Sequence, residues 1–171
     1  MSPSQNLAQE LVQATCTCLD QCMTKIRHCL GQLSQRQVWW RPAEDMNAIG
    51  NLLLHLSGNV RQWLVAGVSG SEDTRDRPQE FAQREAIAKQ ELLAGLQATI
   101  DEAKQVLCSL GEAELLAPRR IQGFDLSAVG AIFDSVPHFK GHTQEIVCLT
   151  RMQLGEKYQY HWEPKTPEQG A

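Results

Sequence analysis

Apolar positions recur every three or four residues over four long stretches, the spacing of amphipathic helices. From about Gln5 to Leu33 the stripe runs through Leu7, Leu11, Ala14, Cys18, Cys22, Ile26, Cys29 and Leu33. From about Met46 to Ala66 the apolar side is Ala48, Leu52, Leu53, Leu56, Val60 and Trp63. The polar stretch GVSGSEDTRDRPQE follows as a loop, with Pro78 suited to start a helix. A third helix is expected from about Phe81 to Leu110, stopped by Gly111. EAELLAPRRIQGF reads as a connection with room for one short helical turn. Asp125 or Ser127 can cap a fourth helix that reaches about Leu154 and ends at Gly155.

Strand signals are thin. YQYHW alternates aromatic and polar residues but has no partner segment. The pattern therefore predicts an all-α fold, an antiparallel four-helix bundle spanning residues 1–155, with a tail over 156–171 that is aromatic first and disordered last. The longest connections fall between the second and third and between the third and fourth helices.

Composition narrows the function classes. A chain of 171 residues with 42% hydrophobic and 21% charged content can build one core without disulfides. The formal net charge is −4, and no basic cluster exceeds the pair Arg119–Arg120. A nucleic acid partner or an anionic membrane surface would call for a basic stripe. The polar start lacks a signal-peptide pattern, and no apolar run nears the roughly 20 residues of a span. A cytoplasmic protein is expected, with its six cysteines reduced and no CxxC pair among them. Cys18, Cys22 and Cys29 share the apolar stripe of the first helix and read as core residues.

The candidate chemistry lies in SVPHFKGHTQEI, residues 135–146. His138, His142 and Glu145 fall within about 60° of one another on a helix. Histidines at i and i+4 can bind one ion together. The zinc-protease pattern is excluded, because Phe139 stands where that pattern needs a glutamate. His55 interrupts the apolar run NLLLHL, and Asn59 and Gln62 share its face as candidate pocket residues. Three imidazoles from two helices would form a site with open positions, the catalytic type. The bland alternative is a set of satisfied core or surface histidines.

LLLHLSGNVRQW at 52–63 and HFKGHTQEI at 138–146, one histidine followed by a His-x-x-x-His, resemble the DinB-like family of four-helix-bundle metalloproteins. VWWRPAEDMNAIGN resembles that family's approach to the second helix. The resemblance implies a bundle with a long crossover, a divalent metal on His55, His138 and His142, and a homodimer. It also implies a small-molecule substrate and, as in some members, transferase or isomerase chemistry with a low-molecular-weight thiol. Zinc is the first expectation for the ion and nickel the second. A non-catalytic metal-binding or dimerisation bundle and a metal-dependent hydrolase are the alternatives.

Two positions depart from the family pattern. Glu145 stands where glutamine is usual, as a fourth ligand, an acceptor for an imidazole N–H, a general base or a surface salt-bridge partner. Pro137 precedes the first helix-four histidine and is expected to kink the helix, aiming His138 or spoiling its geometry. The loop 67–80 is expected to border the site opening. His28 is expected to be solvated, and Trp39 and Trp40 to plug a bundle end. Tyr158, Tyr160 and Trp162 are expected to cover the bundle or a partner subunit.

Overall fold

The computed structural model describes residues 3–161, with side chains from residue 7 onward. Trp162 and the rest of the tail lie outside the described residues. The chain folds as α1 (Pro3–Gln32), the short α2 (Gln35–Val38) and α3 (Ile49–Val60). α3 continues without a break into a π-helical turn, Arg61–Ala66, and a last turn, Gly67–Ser69. Next come α4 (Arg77–Ala82), α5 (Lys89–Cys108) and α6 (Glu112–Leu116). A hairpin, β1 (Pro118–Ile121) and β2 (Phe124–Ser127), leads into α7 (Ala128–Leu154).

Side-chain contacts fix the direction of each long helix. Lys104 meets Asp20 at 2.7 Å while Lys89 Nζ donates to the Leu33 carbonyl at 2.6 Å, so α1 and α5 run antiparallel. Ser57 meets Thr99 and Arg61 meets Glu102, so α3 and α5 run parallel. His55 faces His138 and Asn59 faces Ser135, so α3 and α7 are antiparallel. Cys22 lies beside Thr143 and Cys29 beside Thr150, which makes α1 and α7 parallel. Two parallel consecutive helices, α3 and α5, require a crossover that returns along the bundle. Residues 70–88 supply it, and α4 within it packs on α3.

The core between the four helices is apolar and closed. Leu19 and Ile26 of α1, Leu52, Leu56 and Val60 of α3, Ile100 and Leu107 of α5, and Phe139 and Ile146 of α7 are fully buried. No helix among the described residues is long and apolar enough to cross a membrane. Leu7, expected on the buried stripe of α1, is instead 73% exposed.

The expected third helix is interrupted. α4 ends at Ala82 and α5 starts at Lys89. The carbonyls between them are claimed by side chains: Gln83 O accepts from Asn51 Nδ2, and Ile87 O accepts from Trp39 Nε1 and Gln35 Nε2. Backbone groups satisfied this way do not need a helix. Trp39 thus has a role inside the fold, packed against Gly50, where a Cβ would approach its ring within 2.7 Å. Trp40 is left partly exposed.

The connection before α7 contains the short helix that was expected, and also a hairpin that was not. Gln122 and Gly123 both have positive φ, at 52° and 86°, the backbone of a tight two-residue hairpin turn. Residues 158–160 form no strand. His28 is not left to solvent, since its Nε2 lies 2.6 Å from the Gln159 carbonyl and ties the segment just after α7 to α1.

Ser127 caps α7, its Oγ accepting from the Gly130 N–H at 3.2 Å. Ser127→Ala is expected to cost about 1 kcal/mol. A urea unfolding curve should show a lower midpoint with an unchanged slope.

Candidate metal centre

α3 carries His55 into the bundle at 4% exposure, and α7 presents His138 and His142 from the opposite side on successive turns. One ring nitrogen from each of the three lies within 4.8 Å of the other two. The ring centroids are 4.5–5.0 Å apart, and each pair meets edge to face. α7 runs unbroken through Pro137, and His138 Nε2 reaches 2.9 Å from His55 Nε2.

Carboxylates back two of the three rings. Glu80 Oε2 lies 2.9 Å from His55 Nδ1, and Glu145 Oε2 lies 2.7 Å from His142 Nδ1. A carboxylate at Nδ1 accepts that proton and leaves the Nε2 lone pair directed away, toward the centre. Glu145 is therefore occupied in orienting His142.

Burial sets the charge of His138. Desolvation, reinforced by the positive charges that His142, His55, Arg75 and Arg77 contribute, pushes the His138 pKa down to about 4. His138 is neutral at pH 7 and its lone pair is available. Burial alone would raise the Glu80 carboxyl, but bonds from Arg75 and His55 outweigh it and hold Glu80 below its usual range. Two imidazole nitrogens facing each other at 2.9 Å require a proton or a cation between them. A set of three imidazole nitrogens, two of them backed by carboxylates, fits a borderline divalent ion such as zinc or nickel.

The crossover supplies the most buried charges of the site. Arg75, its side chain 3% exposed, grips Glu80 with two bonds, Nε to Oε1 at 2.6 Å and Nη2 to Oε2 at 2.8 Å. Its Nη1 donates to Gln62 Oε1 at 2.9 Å. The pattern of the sequence placed residues 67–80 near the site opening without singling out Arg75 or Glu80. Polar residues in a loop give no periodic signal; only the crossover's path over α3 brings them to His55.

Gly58 makes room for this pair. A Cβ on Gly58 would collide with the Glu80 carboxylate and come within 2.9 Å of Arg75 Nε. Gly58→Ala is expected to displace Glu80 from His55 and weaken metal binding about tenfold, the lower end for losing such an orienting carboxylate. Competition with a chromogenic chelator would measure it.

The remaining pocket candidates divide. Asn59 lines the cavity beside the histidines, its Oδ1 accepting from Ser135 Oγ at 2.9 Å. Gln62 does not line that cavity; it bonds Arg75 and Gln122, which do, and Asp73, which does not. The π-helical turn starts at Arg61, so the α-helical spacing that aligned Gln62 with His55 no longer holds there. The cavity measures about 310 Å³ and is lined by His55, Asn59, Trp63, Arg75, Arg77, Gln122, Asp134 and His138.

Solved structures of similar shape place the fold. A conserved protein from Enterococcus faecalis superposes with a TM-score of 0.73 at 17% identity, covering 84% of this chain and 96% of that one. A DinB-like protein from Bacillus subtilis superposes with a TM-score of 0.64 at 11% identity, covering 91% of this chain and 99% of that one. At such identities the likeness concerns the fold, which is that of a DinB-like helical bundle. No curated protein matches the chain significantly. The profile of one family matches residues 6–166, nearly the whole chain, and the protein belongs to that family, described as Protein of unknown function (DUF1572).

Proposed function

We propose that the protein binds a divalent ion through His55, His138 and His142, zinc first and nickel second, and uses it on a small-molecule substrate. The observation that carries this reading is the convergence of three imidazole nitrogens, two of them 2.9 Å apart, beside an open cavity. When bound, the ion supplies Lewis acidity. Glu80 and Glu145 hold the tautomers of His55 and His142, and Arg75 keeps Glu80 ionised and in place. Three protein ligands with a solvent-connected side is the arrangement of catalytic rather than structural zinc.

The finer reaction follows from the resemblance to DinB-like proteins: transfer or isomerisation with a low-molecular-weight thiol, in a cytoplasmic homodimer. The rival reading is a metal-binding bundle without catalysis. Stopped-time assays of thiol consumption with an electrophilic acceptor would separate them. Turnover by the zinc- or nickel-loaded protein that disappears on chelation supports the enzyme reading. A protein that holds its metal but consumes none of a panel of small thiols supports the non-catalytic bundle.

A further inference from the structure

Arg75 and Arg77 lie two residues apart on the crossover and line the same cavity, yet their situations differ. Arg75 is buried and its nitrogens are taken by Glu80 and Gln62. Arg77 is exposed and has no carboxylate within ion-pair distance among the described residues. It is nonetheless held in place: its guanidinium carbon lies 5.1 Å from the centroid of Phe81, and that ring lies 4.8 Å from the His55 ring. Stacking on an aromatic face fixes the plane of a guanidinium and leaves its N–H edge available.

Two further groups in the cavity lack partners among the described residues. Ser135 fixes the Asn59 amide through Oδ1, which leaves Nδ2 without an acceptor. That nitrogen is not sealed in, since no buried side-chain polar atom goes unsatisfied. Asp134 stands one helical turn before His138 and lines the same space, with no cation paired to it. Arg77 and Asp134 thus face one cavity with opposite charges and do not pair with each other.

We infer that this cavity takes a small zwitterionic molecule, its carboxylate received by Arg77 and Asn59 and its ammonium by Asp134, while the opposite end reaches the ion. The inference rests on the metal reading, because the ion anchors that other end. A cavity of about 310 Å³ suits a ligand of roughly amino-acid to dipeptide size. A carboxylate accepting from a guanidinium forms a charge-assisted bond of the stronger kind.

The test uses the cobalt-loaded protein and three small thiols that differ in charge: 3-mercaptopropionate, cysteamine and 2-mercaptoethanol. Thiolate-to-cobalt absorption reports binding, compared at equal thiolate concentration, and elemental analysis reports cobalt in every sample. The wild type should bind 3-mercaptopropionate and cysteamine each about tenfold more tightly than 2-mercaptoethanol. Arg77→Gln should remove the first preference and leave the second. Asp134→Asn should remove the second and leave the first, with cobalt content unchanged in both variants. Equal affinities in the wild type, or preferences that survive the substitutions, would overturn the inference while the metal reading stands. A wild type that binds no cobalt would overturn both.

Discussion

Arg75→Met is expected to destabilise the protein by about 3–5 kcal/mol, the usual result of removing one partner from a buried ion pair. The Arg75 and Glu80 side chains are 3% and 9% exposed, so solvent cannot replace the missing guanidinium. Glu80 would keep only His55, and Gln62 Oε1 would lose one of its two donors, keeping Gln122 Nε2. For a chain of this length the loss corresponds to a fall in Tm of about 6–20 °C. Removing both charges, in Arg75→Met with Glu80→Gln, should cost less than Arg75→Met alone, because no buried charge is then left unpaired. Thermal unfolding of the metal-free proteins isolates this effect from ion binding. A single variant within about 0.5 kcal/mol of the wild type would show that the crossover opens enough for water to solvate Glu80.

The bundle was legible because its helices are long and their buried faces are continuous. Leu52, Leu56 and Val60 on α3, Cys22, Ile26 and Cys29 on α1, and Leu33 just past its end are buried as their spacing predicts. The start of α1 was misread: Leu7 and Ala14 are exposed, and Val12, Cys16 and Leu19 carry the stripe there. An isolated stripe cannot show which of two neighbouring faces its partners will cover. The break at residues 83–88 was invisible because tertiary bonds from Gln35, Trp39 and Asn51 cause it. The hairpin turn at Gln122 and Gly123 was missed because only one of its two positive-φ positions is a glycine.

The site was legible to the extent that it sits on helices. His138 and His142 are related by helical geometry alone, and His55 stood out as a polar residue within an apolar run. Glu145, one turn from His142, reaches its Nδ1 as one of the four roles open to it required. Gln62 was misaligned because a π-helical turn intervenes, and nothing in RQWLVA marks that turn. Glu80, Arg75 and Gly58 serve the site through the crossover. Their roles depend on where a 19-residue connection, residues 70–88, lies across the bundle.

The largest effect expected of all is on metal content. His138→Ala with His142→Ala removes two of three converging nitrogens and leaves His55 with no partner for an ion. The affinity should fall by more than about 100-fold, beyond what losing an orienting carboxylate does. The fold should persist, since both histidines are partly exposed while Phe139, Thr143 and Ile146 between and beside them keep the core contact of α7. Circular dichroism of the double variant checks that point.

The measurement that bears most directly on the account is elemental analysis of protein purified without an affinity tag, wild type beside the double variant, after incubation with zinc and separately with nickel. About one ion per chain is expected in the wild type and none in the variant. A wild type that stays empty with both metals, or a folded variant that retains a full equivalent, would contradict it.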